Sequence, residues 1–162
     1  METKIALLMD LPEGKLPGFY AQIVKALAGK TQLFDRDKEM LIVSTIEEER
    51  SVLSVMEQYN VKTERMELLY LPDHAELTDQ FEDYGFISRS EHPYLYKKLA
   101  QLVRIEAISP QSERKLALLQ LDEHLLACYE EGQTEIFAFD RQLQELVAGI
   151  AKAYKCEAQF LL

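Results

Sequence analysis

The sequence predicts an α/β fold, with α+β as the alternative: a mixed sheet of five or six strands with helices packed on it. Three observations lead there. Apolar runs of strand length punctuate the chain, amphipathic runs of helical period lie between them, and over residues 1–72 the two kinds follow the order β-α-β-β-α-β. That order is the ferredoxin-like split βαβ arrangement.

Residues 5–9 are continuously apolar and predict a strand buried on both faces. A turn-rich stretch, residues 11–18, follows. Phe19, Tyr20, Ile23, Val24 and Leu27 then recur at helical spacing, with Gly29 at the C-terminal cap position. Residues 31–34 and 40–43 flank Asp35-Arg36-Asp37-Lys38 and predict a hairpin without an Asn-Gly turn signal. Thr45 and Glu48 have the spacing of a capping box, in which hydroxyl and carboxylate satisfy orphan N–H groups. The helix they open carries Val52, Leu53, Met56 and Tyr59 on one face, and residues 66–71 form a strand closed by Pro72.

From residue 73 to residue 91 the chain is polar and acidic, with a short helix expected around Leu77, Phe81 and Tyr84. Pro93 opens a helix with Leu95, Leu99, Leu102 and Val103 inward, and Ser109-Pro110 ends it and starts another. Residues 115–131 read as a helix with Leu118, Leu121, Leu125 and Tyr129 on one face. The competing reading is a hairpin turning at Asp122-Glu123. Glu131-Gly132-Gln133 makes a turn, and residues 136–139 make a strand. Asp140 caps a helix with Leu143, Leu146, Val147, Ile150 and Tyr154 inward, and residues 158–162 return as a strand. A C-terminal strand-helix-strand unit of this kind predicts parallel pairing.

The length fits one domain, residues 1–162. The alternative is two similar ferredoxin-like halves, 1–72 and 93–162, which requires a hairpin within 115–131. Pro17 and Pro93 each precede a tyrosine by three residues at a predicted helix head, an echo read here as coincidence.

The 18 basic residues are outnumbered by 28 acidic ones, giving a net charge of −10. Such a surface repels phosphate backbones and anionic lipid, so neither nucleic acid nor membrane is expected as a partner. A protein with a basic surface suits it, because complementary fields speed encounter. Cys128 and Cys156 lie far apart in apolar company, which suits reduced thiols and a cytoplasmic location. No signal-peptide pattern is read at the N-terminus, and no run reaches the roughly 20 apolar residues of a membrane span.

Motifs for chemistry are scarce. Gly14-Lys15 follows the first strand but lacks phosphate-loop spacing, and GxGxxG and GxSxG are absent. His74, His92 and His124 have no local motif, and no cofactor and no metal site are expected. Asp79 and Asp83 are four apart, yet Leu77, Phe81 and Tyr84 define the inward face and leave the carboxylates in water. Asp10, Thr45, Asp73 and Asp140 each sit just past a predicted strand. With His74 and Arg141 they would gather at one edge of a parallel sheet. Asp10, Asp73, His74 and Asp140 are therefore the catalytic candidates for a metal-dependent hydrolase or phosphotransferase. The same residue types are ordinary helix caps, and that reading is preferred, so no catalytic residue is assigned.

Aromatic residues crowd one stretch: Phe81, Tyr84, Phe86, Tyr94 and Tyr96. Tyrosines among carboxylates suit a protein-binding surface, so Asp79, Glu82, Asp83, Tyr84 and Tyr94 are the expected partner-binding residues within residues 73–96.

Four features lie within residues 30–99: a hairpin around Asp35-Arg36-Asp37, a helix ending Met56-Glu57-Gln58-Tyr59, then Glu82-Asp83-Tyr84-Gly85 and Ser90-Glu91-His92. Together they loosely resemble the C-terminal domain of the MecA-type adaptors, acidic proteins that deliver substrates to a Clp unfoldase. The resemblance covers under half of the chain, rests on no diagnostic motif and carries no functional residue across. It implies protein–protein function. The leading expectation is thus a non-catalytic acidic binding domain of adaptor, inhibitor or immunity type. The enzyme above and a small-molecule sensor on duplicated ferredoxin-like units are the alternatives.

Overall fold

A computed structural model describes residues 2–11 and 18–162. The Gly14-Lys15 turn lies outside the described residues. The protein is mixed α/β, with four α-helices and two antiparallel sheets of six and five strands among the described residues. It divides into two compact units, residues 2–70 with 87–92, and residues 71–86 with 93–162.

The first unit runs β1 (Glu2–Asp10), α1 (Gly18–Ala28), β2 (Asp35–Asp37), β3 (Met40–Val43), α2 (Ile46–Gln58) and β4 (Lys62–Tyr70). Its strands lie in the order β2-β3-β1-β4, with β1 antiparallel to both β3 and β4. This is the split arrangement expected from the sequence. Alternation along β1 explains the layering. Ile5, Leu7 and Met9 pack with Ile23 and Leu27 of α1 and with Val52, Val55 and Met56 of α2, because odd and even side chains leave a strand on opposite faces. The Thr45 hydroxyl accepts from the Glu48 N–H at 3.1 Å, whereas the Glu48 carboxylate accepts from Ser44 rather than from Thr45, at 2.9 Å. Leu53, placed inward by helical spacing, is exposed.

The second unit begins with β5 (Glu76–Leu77) and a 3₁₀ turn over Phe81–Asp83, then β6 (Gly85–Ile87) and β7 (Pro93–Tyr96). It continues with β8 (Ala100–Ala107), α3 (Arg114–Leu121), β9 (Ala127–Glu131), β10 (Thr134–Asp140), α4 (Gln144–Ala153) and β11 (Cys156–Phe160). The helix expected from Pro93 is instead β7 and β8. Leu95, Leu99, Leu102 and Val103 have helical spacing, but the chain turns at residues 97–99, where the Leu99 N–H reaches the Tyr96 carbonyl. Residues 115–131 combine both readings, a helix to Leu121 and a strand from Ala127. Pro110 lies outside α3, whose N-cap is Glu113.

The strand order β11-β8-β10-β9 repeats that of the first unit, with β8 in the place of β1. Both β10 and β11 run antiparallel to β8. The expected direct parallel pair therefore does not form, because β8 stands between the two strands. Val103, Ile105, Phe137 and Phe139 pack with Ala117 and Leu121 of α3 and Val147, Ile150 and Ala151 of α4. The βαββαβ topology thus occurs twice in one chain.

Candidate functional site

In both units a two-residue turn joins the second and third strands of the motif. Asp37 pairs with Met40 across Lys38-Glu39, and Glu131 pairs with Thr134 across Gly132-Gln133. The first turn residue is left-handed in each case, Lys38 at φ 54° and Gly132 at φ 66°. Two residues before each turn stand Arg36 and Glu130, opposite Leu41 and Glu135. Partners across a strand pair share a face, so both project toward the helix-bearing side of their sheets.

A cleft opens beside each turn. In the second unit it measures about 520 Å³ and is lined by His74, Glu76, Cys128, Glu130, Gly132 and Glu135, among others. The His74 imidazole lies 3.0 Å from the Glu130 carbonyl, and β5 pairs Glu76 with Cys128. Burial and the Glu76 carboxylate push the Cys128 thiol above its ordinary range, so this cysteine is not a ready nucleophile. In the first unit the cleft is about 380 Å³ and holds Arg36, Lys38 and Arg89 with Asp37, Glu39 and Tyr20.

The acidic segment continues from the second cleft. Asp73, Glu76, Asp79, Glu82 and Asp83 are all exposed. Among the described residues none of them forms an ion pair. The segment is nonetheless held firmly. The Thr78 hydroxyl donates to the Leu125 carbonyl at 2.6 Å, the Gln80 amide donates to the Glu123 carbonyl at 2.8 Å, and Phe81 is fully buried. Tyr84 is half-buried and donates to Asp140 at 2.7 Å. That hydrogen bond and burial raise the Tyr84 phenol above its ordinary range. Tyr94 does not reach a surface: it is 0 % exposed and stacks on Phe86 at 5.2 Å. It is a core residue, and the partner-binding role expected for it is withdrawn.

The four catalytic candidates are divided between the units, Asp10 in the first and Asp73, His74 and Asp140 in the second. Asp10 ends β1 in the first unit. Asp73 and His74 lead into β5, and His74 contacts Glu130, the partner of Glu135. Asp140 ends β10, five residues from Glu135 and so about 17 Å along the strand. Its carboxylate caps the 3₁₀ turn after β10 by accepting from Gln142 at 2.8 Å. Among the described residues no group of three or more His, Cys, Asp or Glu side chains is arranged to hold a metal ion.

One cluster escaped sequence reasoning. On the face of the first sheet away from its helices, the Lys4 ammonium donates to Ser44 at 3.0 Å. It pairs with Glu2 at 3.1 Å and sits 3.8 Å from the centroid of Phe34. His92 donates through Nδ1 to the buried Asp35 at 3.1 Å and packs between Phe34 and Tyr70. The available signal was a lysine at the head of an apolar strand, where a charge survives burial only with partners. These contacts tie together the ends of β1, β2 and β4.

No protein-family model matches the chain, and no curated protein is significantly similar to it. Among the described residues no helix is long and apolar enough to cross a membrane.

Proposed function

We propose that the protein is a non-catalytic binding module whose acidic strip, Asp73, Glu76, Asp79, Glu82 and Asp83, receives a basic surface of a protein partner. One observation carries this reading: five exposed carboxylates, none of them in an ion pair among the described residues, stand on a segment tied down by side-chain hydrogen bonds and a buried phenylalanine. A charged but floppy segment must lose conformational freedom on binding, at about 0.5–1.5 kcal/mol per immobilised side chain, and pre-ordering reduces that cost. Between residues 66 and 88 there is no Lys or Arg, so the local field is of one sign and would steer a cationic partner toward the strip. The acidic cleft beside Gly132 extends the same charge through Glu130.

The test is a partner captured on the intact chain, identified and titrated against Asp79→Lys/Glu82→Lys/Asp83→Lys. Binding that weakens tenfold or more in the variant, and that weakens with added salt in the wild type, is the expected result. Equal affinity of the two proteins for that partner would remove the strip from the interface.

A further inference from the structure

We propose that the cleft beside the Lys38-Glu39 turn is an oxyanion site, in which Arg36, Lys38 and Arg89 receive a small molecule bearing a phosphate or carboxylate group. This inference does not depend on the acidic strip, which belongs to the other unit.

Three cationic side chains line one cleft in a chain where acids outnumber bases by 28 to 18. Among the described residues none of the three is engaged in an ion pair. The fold brings them to this cleft from separate stretches of the chain. Arg36 lies on β2, with its guanidinium 5.7 Å from the centre of the Tyr20 ring on α1, within cation–π range. Arg89 is 52 residues distant in sequence from Asp37, and its backbone N–H donates to the Asp37 carboxylate at 3.1 Å. The Tyr20 hydroxyl donates to the Lys38 carbonyl at 2.7 Å and fixes the turn itself.

The turn supplies a second, independent observation. A left-handed backbone disfavours side chains with a Cβ by roughly 1–2 kcal/mol, and glycine relieves the strain. The matching turn of the second unit uses Gly132. The first unit places Lys38 there at φ 54°, and lines the cleft with it. Asn60, Glu91 and Lys155 are left-handed as well, but Lys38 combines that conformation with a place in the lining of a cationic cleft.

The ligand is bounded by the lining. A volume of about 380 Å³ lies at the small-molecule end of the usual range. Asp37 and Glu39 also line the cleft and oppose an extended polyanion, which selects a single oxyanion over a nucleic-acid backbone. Two guanidinium forks and an ammonium match the oxygens of a phosphate or carboxylate group.

The experiment is calorimetric titration and thermal shift of the full chain with inorganic phosphate, glycerol 3-phosphate and citrate, at fixed ionic strength in chloride. Saturable one-site binding is expected, with affinity lowered at least tenfold in Arg36→Gln/Arg89→Gln. Lys38→Gly should also bind more weakly while keeping or raising the melting temperature, which separates lost binding from lost folding. Tighter binding of glycerol 3-phosphate than citrate assigns a phosphate ester, and the reverse assigns a carboxylate. Absence of saturable binding of all three, or equal affinity in the wild type and both variants, overturns the proposal.

Discussion

The two βαββαβ units share strand order and turn length but differ in where they place charge. Beside the first hairpin turn stand Arg36 and Lys38, and at the matching positions of the second stand Glu130 and Gly132. On the sheet faces away from the helices the contrast is one of satisfaction. In the first unit Lys4 has a hydroxyl, a carboxylate and an aromatic face as partners. In the second, Arg104 Nε and the Tyr129 hydroxyl are buried without a hydrogen-bond partner among the described residues. The lesson is that the backbone topology fixes where a cleft and a polar face occur, and the side chains alone decide what each can bind or cost.

The largest effect is expected where the first unit is most completely satisfied. Lys4→Ala removes a nearly dry cation–π contact, worth about 2 kcal/mol, and hydrogen bonds worth roughly another 1 kcal/mol. It also leaves Glu2 without its cation. Chemical denaturation should show a loss of about 2–4 kcal/mol. A loss near zero would mean that the cluster adds nothing net, and the two faces would then be energetically alike.

The contrast between units also decided what could be read from the sequence. In the first, each strand is bounded by a turn or a cap, and Thr45 and Glu48 mark the start of α2, so the element order was legible. Only the strand limits moved, since β2 is the charged triplet Asp35–Asp37 and not residues 31–34 before it. In the second, residues 97–99 turn the chain without Gly, Pro or Asn, and leucines on either side fall by chance at helical spacing. One missed turn hid β7 and β8, and left the repeated topology as only the alternative reading. Of the binding residues expected, Asp79, Glu82 and Asp83 are at the surface, whereas Tyr94 is in the core. Periodicity cannot separate a tyrosine that pins a segment from one that serves a partner. Arg89 and Arg36 are distant in sequence, and only the fold brings them to one cleft.

A smaller effect of opposite sign belongs to Tyr129. Burial, reinforced by Glu131 and partly offset by Arg104, pushes its phenol from an ordinary value of 10.0 up to about 12. The folded value lies above the unfolded one, so the unfolded chain loses its proton first as pH rises. Its stabilising contribution is complete below about pH 10 and is lost progressively toward about pH 12, with a slope approaching 1.4 kcal/mol per pH unit. Tyr84 shifts in the same direction, so the wild type must be compared with Tyr129→Phe. The variant should lose less stability between about pH 9 and about pH 11.5. At neutral pH it should equal or exceed the wild type by about 1 kcal/mol, because it deletes a buried hydroxyl that has no hydrogen-bond partner among the described residues. Parallel curves for the two proteins across that range would show that Tyr129 ionises as easily folded as unfolded.

The smallest effect tests the energetic premise of the comparison of turns. Gly132 is left-handed, and a Cβ added there meets nothing within 4 Å among the described residues. Gly132→Ala therefore probes backbone strain without a packing term, and should lower stability by about 1 kcal/mol. Lys38→Gly at the matching turn should move the other way by a similar or smaller amount, limited by the extra freedom glycine gives the unfolded chain. Opposite signs at the two turns would show that the first unit keeps its lysine against a conformational cost. If Gly132→Ala is neutral, the left-handed turn carries no such cost, and Lys38 needs no ligand to account for it.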